Sequence, residues 1–277
     1  MLLRTIGLVS VILATTVCSL TGAFADPGKI WLLPVSFAGF YLLGMAVAFI
    51  YLWYVSSKVD FDVPQEDDDP HYRKIVAWYV EALIMLLQAK VHATGLEKTP
   101  KKGRFLLVCN HQFLADPGIL LHYFRDSQLA FISKQENKDM FAVGKLMHKI
   151  LCQTIDRSDD RQALKAIIRC IQIIKEDKAS IAVFPEGGTN HDDKLHHFRP
   201  GVFKIAQKAN VPIVVCTINN TRPIIRNGLR LRKTHVDLHL VDVIPAEELQ
   251  GKTTVEISDL IYQMMAKDLG PDLIAAE

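Results

Sequence analysis

Hydrophobic and polar positions divide this chain of 277 residues into an almost uniformly apolar front and a longer remainder in which short apolar runs alternate with amphipathic ones. Residues 2–24 carry Arg4 as their one charge, and residues 30–57 carry none. At about 1.5 Å per residue each run can cross the roughly 30 Å of hydrocarbon in a bilayer, which predicts a membrane hairpin over residues 1–58. The first run also fits a cleavable signal peptide over residues 1–25, with a basic start, an apolar stretch and Ala23-Phe24-Ala25 before Asp26. Topology is the same either way, because the second run then stops transfer and returns the chain to the cytosol. Lys58, Arg73 and Lys74 follow that run, whereas the tight connection near Pro27 and Gly28 holds Asp26 and Lys29, a modest positive-inside bias. The expectation is an integral membrane protein with its main domain on the cytosolic face, at the cell membrane if the source is bacterial.

Residues 59–70 are acidic and include Pro64 and Pro70, a composition that suits an exposed linker better than a strand or helix. The folded domain is then residues 71–277. His71 to Gln88 reads as a helix whose apolar side chains (Trp78, Tyr79, Leu83, Ile84, Leu86, Leu87) cover most of its circumference, so it is either core or half-buried among lipid headgroups. Beyond it, β-branched apolar runs predict strands at Lys90–Thr94, Phe105–Cys109, Leu129–Ser133, Ser180–Phe184, Ile213–Thr217 and Val236–Val243. Helical patterns lie between them at Pro117–Arg125, Val143–Leu151, Asp160–Lys175, Gly201–Ala209 and Thr254–Leu269. Such alternation predicts an α/β fold, a mostly parallel sheet flanked by helices, preceded by two N-terminal membrane helices.

Composition narrows the function. A hydrophobic content of 49% is high for a soluble protein, and a formal charge of +2 without a basic, aromatic-interleaved stretch sets nucleic acid aside as a partner. Five cysteines, an odd number with no C-x-x-C spacing, fit reduced thiols in apolar runs in a cytosolic compartment. There is no G-x-S-x-G elbow, no G-x-G-x-x-G fingerprint and no P-loop.

Two motifs remain. Asn110-His111-Gln112-Phe113-Leu114-Ala115-Asp116 follows the predicted strand that ends at Cys109, and Phe184-Pro185-Glu186-Gly187-Gly188 closes the strand that starts at Ser180. Ligands of such sheets bind outside the carboxyl ends of the strands, so neighbouring strands would bring both loops to one crevice. The His-x4-Asp spacing alone is expected by chance in a chain with ten histidines, and Asp116 before Pro117 also suits a helix N-cap. In the catalytic reading the imidazole accepts a proton from an alcohol while the carboxylate fixes its tautomer and stabilises the imidazolium. The hydroxyl then attacks a thioester directly, and the backbone amides of Gly187 and Gly188 are candidate donors to the oxyanion. His191, Asp192, Asp193, His196 and His197 offer metal-ligand chemistry as a competing reading, but adjacent histidines diverge on regular structure and no H-E-x-x-H helix is present. A solvated polar loop is the simpler description, so no metal or cofactor is expected.

With these residues in place the chain resembles the membrane glycerolipid acyltransferases of the lysophosphatidic acid acyltransferase (1-acyl-sn-glycerol-3-phosphate acyltransferase) type, whose first motif is NHxxxxD and whose third is FPEG followed by Thr-Arg-Ser. Phe131-Ile132-Ser133-Lys134-Gln135-Glu136 and Ile155-Asp156-Arg157 resemble the second block. Phe198-Arg199-Pro200-Gly201 and Val211-Pro212-Ile213-Val214 resemble the segments that close the site. The resemblance implies transfer of a fatty acyl group from acyl-CoA or acyl carrier protein to the hydroxyl of lysophosphatidic acid, giving phosphatidic acid. It implies His111 as general base, Asp116 as its partner, Lys134 and Arg157 as cations for the acceptor phosphate, and Glu186 as organiser of the loop and the acceptor contacts. The chain departs from the pattern where Gly188-Thr189-Asn190 lacks the third-motif arginine. Arg199 is the candidate to replace it; otherwise the acceptor is another lysophospholipid or glycerol 3-phosphate, or the protein is a noncatalytic membrane-anchored lipid binder.

Overall fold

The computed structural model describes residues 1–155, 160–189 and 192–275, which fall into two compact units, Met1–Asp62 and Val63–Glu277. In the first unit, helices α1 (Leu2–Leu20) and α2 (Leu32–Ser57) pack against each other. Gly44 permits the approach, since a Cβ there would lie 2.6 Å from Ile6 Cγ2. The buried Ser10 hydroxyl is satisfied within its own helix by the Ile6 carbonyl at 2.7 Å. Leu8, Ile12, Leu42, Val47, Ile50 and Trp53 stand exposed on the outer faces. Both helices are long and apolar enough to cross a membrane, and because only 6% of the second apolar window is buried, it is not the core helix of a soluble unit.

The second unit begins with the acidic stretch, which is fastened to the fold by ion pairs of Glu66 with Arg169 (2.9 Å), Asp67 with Lys178 (3.1 Å) and Asp68 with Arg73 (2.6 Å). Asp69 then caps helix α3 (Pro70–Leu86), its carboxylate accepting from the His71 and Tyr72 amides while Pro70 takes the first helical position. Ile75, Val76 and Ala82 of α3 are buried, whereas Trp78, Leu83, Met85 and Leu86 are exposed, so only one stripe of this apolar helix belongs to the core.

The chain continues through β1 (Ala89–Thr94), β2 (Leu106–Cys109), α4 (Asp116–Tyr123), β3 (Leu129–Lys134), α5 (Val143–Lys149), β4 (Gln153–Ile155), α6 (Asp160–Lys175) and β5 (Ser180–Val183). It finishes with α7 (Lys204–Ala209), β6 (Ile213–Asn219), α8 (Ile224–Leu229), β7 (Thr234–Ile244) and α9 (Thr254–Leu269). The strands form one sheet in the order β1-β7-β6-β2-β5-β3-β4, parallel except for the β6–β7 pair. This is the mostly parallel α/β architecture that the alternating pattern predicts, with β4 and α8 as short additions. The helical pattern at 201–209 divides into a 3-10 turn, Pro200–Phe203, and α7.

β2, β5 and the first part of β6 are buried along their whole length, as expected for parallel strands covered on both faces. Cys109 of β2 and Cys216 of β6, with Cys152 just before β4 and Cys170 in α6, are free and buried, and desolvation raises all four thiols, that of Cys152 to about 11. They are packing residues rather than nucleophiles.

Candidate active site

The site forms where β2 stops while its neighbour β6 continues. β2 and β6 pair up to Cys109 and Cys216, and the side chain of the next residue, Asn110, supplies one more rung. Its amide donates to the Ile218 carbonyl at 2.8 Å and its oxygen accepts from the Ile218 N–H at 2.7 Å. The backbone is thereby free to turn out of the sheet at His111 without leaving buried polar groups of β6 unpaired.

Asp116, at the start of α4, closes the turn. Its Oδ2 accepts from His111 Nδ1 (2.8 Å), Gln112 N (2.7 Å) and Phe113 N (2.8 Å), and its side chain is fully buried. The same carboxylate oxygen therefore shapes the loop and holds the ring. Because it is acceptor-only when ionised, it fixes the proton on Nδ1 and leaves the lone pair on Nε2. The imidazole stacks on Phe184, with centroids 4.1 Å apart and planes at 18°, and Phe184 in turn stacks on Phe131 at 5.9 Å. One face of the imidazole is thus walled by aromatic carbon, and the ring keeps a partly open edge.

Glu186 joins the second loop to the first. Oε1 accepts from the His111 amide at 2.8 Å and Oε2 from the His196 amide at 3.1 Å. Burial pushes this carboxyl up to about 7, while the two backbone donors act in the opposite direction. Gly187 follows with φ +79°, and a Cβ on it would meet Arg199 Nε at 2.7 Å, so the glycine admits the arginine side chain over the turn. The Gly187 N–H donates to the Phe184 carbonyl at 3.0 Å, which differs from the expectation that it faces an oxyanion. It closes the turn instead, and among the described residues the neighbouring Gly188 N–H is left as the donor without a protein partner.

Lys134 lies at the carboxyl end of β3, on the same edge of the sheet, and pairs with Glu136 at 2.7 Å on an exposed surface. Arg157, with Asp156 before it, is outside the described residues. Of the polar cluster beyond the second motif, Asp193 pairs with Arg222, His196 with Asp192 at 3.0 Å, and His197 stacks on Tyr262. His191 is also outside the described residues, and among the described ones no three of these side chains come together as metal ligands would. Gln112 is the contributor that the motifs did not mark. Buried, it donates to the Asp193 carbonyl (2.9 Å) and Asn219 Oδ1 (3.2 Å), tying the first loop to the second and to β6.

This geometry can be set beside known proteins. The Acyltransferase family model matches residues 90–219, a span that holds both loops. A Mycoplasma pneumoniae protein named probable 1-acyl-sn-glycerol-3-phosphate acyltransferase is 34% identical over 188 residues, covering 66% of this chain and 69% of the relative. This chain belongs to the 1-acyl-sn-glycerol-3-phosphate acyltransferase family. A 1-acyl-sn-glycerol-3-phosphate acyltransferase of Chlamydomonas reinhardtii is 29% identical over 212 residues, covering 74% of this chain and 62% of that family member. The chain thus spans roughly two thirds of the length of these curated relatives. Among solved structures, the fold is shared with the 1-acyl-sn-glycerophosphate (LPA) acyltransferase PlsC of Thermotoga maritima at a TM-score of 0.60 and 21% identity, over 83% of this chain and 91% of that one.

Proposed function

We propose that this protein transfers a fatty acyl group from acyl-CoA or acyl carrier protein to the free hydroxyl of lysophosphatidic acid, giving phosphatidic acid, with its catalytic unit on the cytosolic face of a membrane. The observation that carries the reading is the 2.8 Å contact of His111 Nδ1 with a buried carboxylate that is already fixed by two backbone amides. A base held in one tautomer by a residue that cannot itself move is what direct acyl transfer to an alcohol needs. His111 Nε2 takes the proton as the acceptor oxygen bonds to the thioester carbonyl carbon. The negative charge that develops on the carbonyl oxygen faces the Gly188 amide. Collapse breaks the C–S bond, and the imidazolium returns its proton to the leaving thiolate, so no acyl-enzyme and no cofactor are needed.

Asp116 stabilises the imidazolium in this scheme and Glu186 holds the base's own backbone in place. Lys134, Arg157 and Arg199 are the cations assigned to the acceptor phosphate; of these, Arg199 lies over the second loop where the third-motif arginine is missing. The names of the family members support lysophosphatidic acid as acceptor, and the two apolar helices support residence at a membrane. The test is thioester consumption by the solubilised full chain given a long-chain acyl-CoA, with lysophosphatidic acid, glycerol 3-phosphate or lysophosphatidylglycerol in parallel. Turnover with lysophosphatidic acid that is lost in His111→Ala is the expected result. Turnover that survives in His111→Ala would remove the base assignment.

A further inference from the structure

The connection from β6 to β7 has a surface that acyl transfer does not use. After α8 the chain makes a tight turn in which the Arg230 and Arg232 amides both donate to the Asn227 carbonyl, at 3.0 and 2.9 Å, and the Leu231 amide donates to the Gly228 carbonyl at 3.0 Å. Leu231 is held at φ +54°, a conformation that a bulky L-residue avoids. The turn presents Leu229 and Leu231 to solvent at 79% and 80% exposure, with Ile225 also exposed beside them. Exposed Arg226, Arg230, Arg232 and Lys233 alternate with these apolar groups, and none of the four makes an ion pair among the described residues. No Asp or Glu occurs anywhere between Asp193 and Asp237.

The turn is built into the fold. A Cβ on Gly228 would lie 2.8 Å from Leu87 Cα, so the turn sits directly against the end of α3, where Leu83 and Leu86 are exposed. Its position also matters. β6 runs parallel to β2, so the segment leaves the sheet at the edge from which His111 emerges, and Arg222 pairs with Asp193 beside Gln112. Two leucines displayed in a strained turn are unfavourable in water, which points to a phase that accepts them. Interleaved cations add attraction to phosphates lying above that phase.

We propose that Ile225–Lys233 is a docking surface of the catalytic unit for an anionic lipid bilayer, separate from the apolar N-terminal helices. Leu229 and Leu231 enter the boundary between headgroups and acyl chains, the four cations pair with lipid phosphates, and the site edge of the sheet faces the bilayer that supplies the acceptor. A nucleic acid would engage the cations but offers the leucines nothing, so it is the poorer occupant. The proposal extends the function above, yet its readout does not involve turnover.

The five native cysteines are buried, so Leu231→Cys in the full chain gives one accessible thiol for a bimane label. Glu248→Cys, exposed at the opposite edge of the sheet, gives a control. Each variant is reconstituted into phosphatidylcholine vesicles with or without phosphatidylglycerol, using lipids brominated in the upper acyl chain as quenchers. Quenching at position 231 should exceed that at 248 several-fold and increase with phosphatidylglycerol. Each cation near an anionic surface contributes about fivefold to attachment, so adding Arg226→Glu, Arg230→Glu and Arg232→Glu should abolish the phosphatidylglycerol dependence while thermal melting stays unchanged. Equal quenching at the two positions, or shielding at 231 that needs added nucleic acid or soluble protein, would overturn the proposal.

Discussion

Asp116→Asn isolates the charge of the dyad from its shape. The carboxylate oxygen that accepts three N–H groups must remain an acceptor, because turning the new NH2 toward Gln112 N and Phe113 N would oppose donor to donor. The amide oxygen therefore takes the Oδ2 place and His111 keeps its tautomer. The NH2 takes the place of Oδ1, which has no hydrogen-bond partner among the described residues. What disappears is the negative charge facing the imidazolium that forms as the acceptor is deprotonated. With centres roughly 4 Å apart and an effective dielectric near 20, that pair is worth about 4 kcal/mol. The asparagine dipole retains part of it, so kcat should fall between about a hundredfold and a thousandfold. The KM for the acyl donor should change little, because the charge acts on the transition state. The assay is thioester consumption with saturating acceptor, accompanied by thermal melting to show that the loop still folds. A kcat within tenfold of the parent, in a variant that melts normally, would mean that the carboxylate only shapes the loop and that the base reading is mistaken.

Other expectations follow from the same geometry. Glu186→Gln should lower kcat by more than tenfold, since one end of the amide must face a backbone N–H with a donor, and a parent-like rate would deny Glu186 its part in placing His111. The Glu186 carboxyl is raised from 4.5 to about 7 in the folded chain, so the stability it contributes, on the order of 3 kcal/mol, is complete below about pH 4.5 and lost as pH rises through 7. Turnover should change in the other direction, rising toward neutrality as the ionised carboxylate accepts both amides, and Glu186→Gln should flatten the melting-temperature profile across that window. Lys134→Ala should raise the KM for a phosphorylated acceptor several-fold at unchanged kcat, whereas a pure loss of kcat would place the phosphate elsewhere. Asn110→Ala leaves the Ile218 N–H and carbonyl unpaired in the core and should cost about 3 kcal/mol of stability, read as a lowered denaturant midpoint with unchanged slope.

Local pattern revealed much of this fold because the central strands are short, β-branched and buried on both faces, and because both loops bear residues with distinctive chemistry. The pattern could not show that β7 inserts between β1 and β6, parallel to the first and antiparallel to the second, since strand order depends on pairings distant in sequence. β4, Gln153–Ile155, is too short to display a period. His111 and Asp116 were visible as a spacing, but the reason for the asparagine before them was not: its role depends on Ile218, which lies more than a hundred residues later. The orientation of the Gly187 amide likewise depends on a turn that composition permits but does not specify. Gln112 resembles any polar residue until the loops it connects are folded.

The ion pairs that fasten residues 66–68 to the second unit are unequal, and that inequality gives the chain an adjustable slack. The carboxylates of Glu66 and Asp67 are 65% and 78% exposed, so salt or a competing polyanion weakens their grip on Arg169 and Lys178. Asp68 and Arg73 are 7% and 15% exposed and are reached by neither. Peeling from the N-terminal side should therefore release Glu66 and Asp67 first and halt at Asp68, a mechanical stop set one residue before the cap of α3.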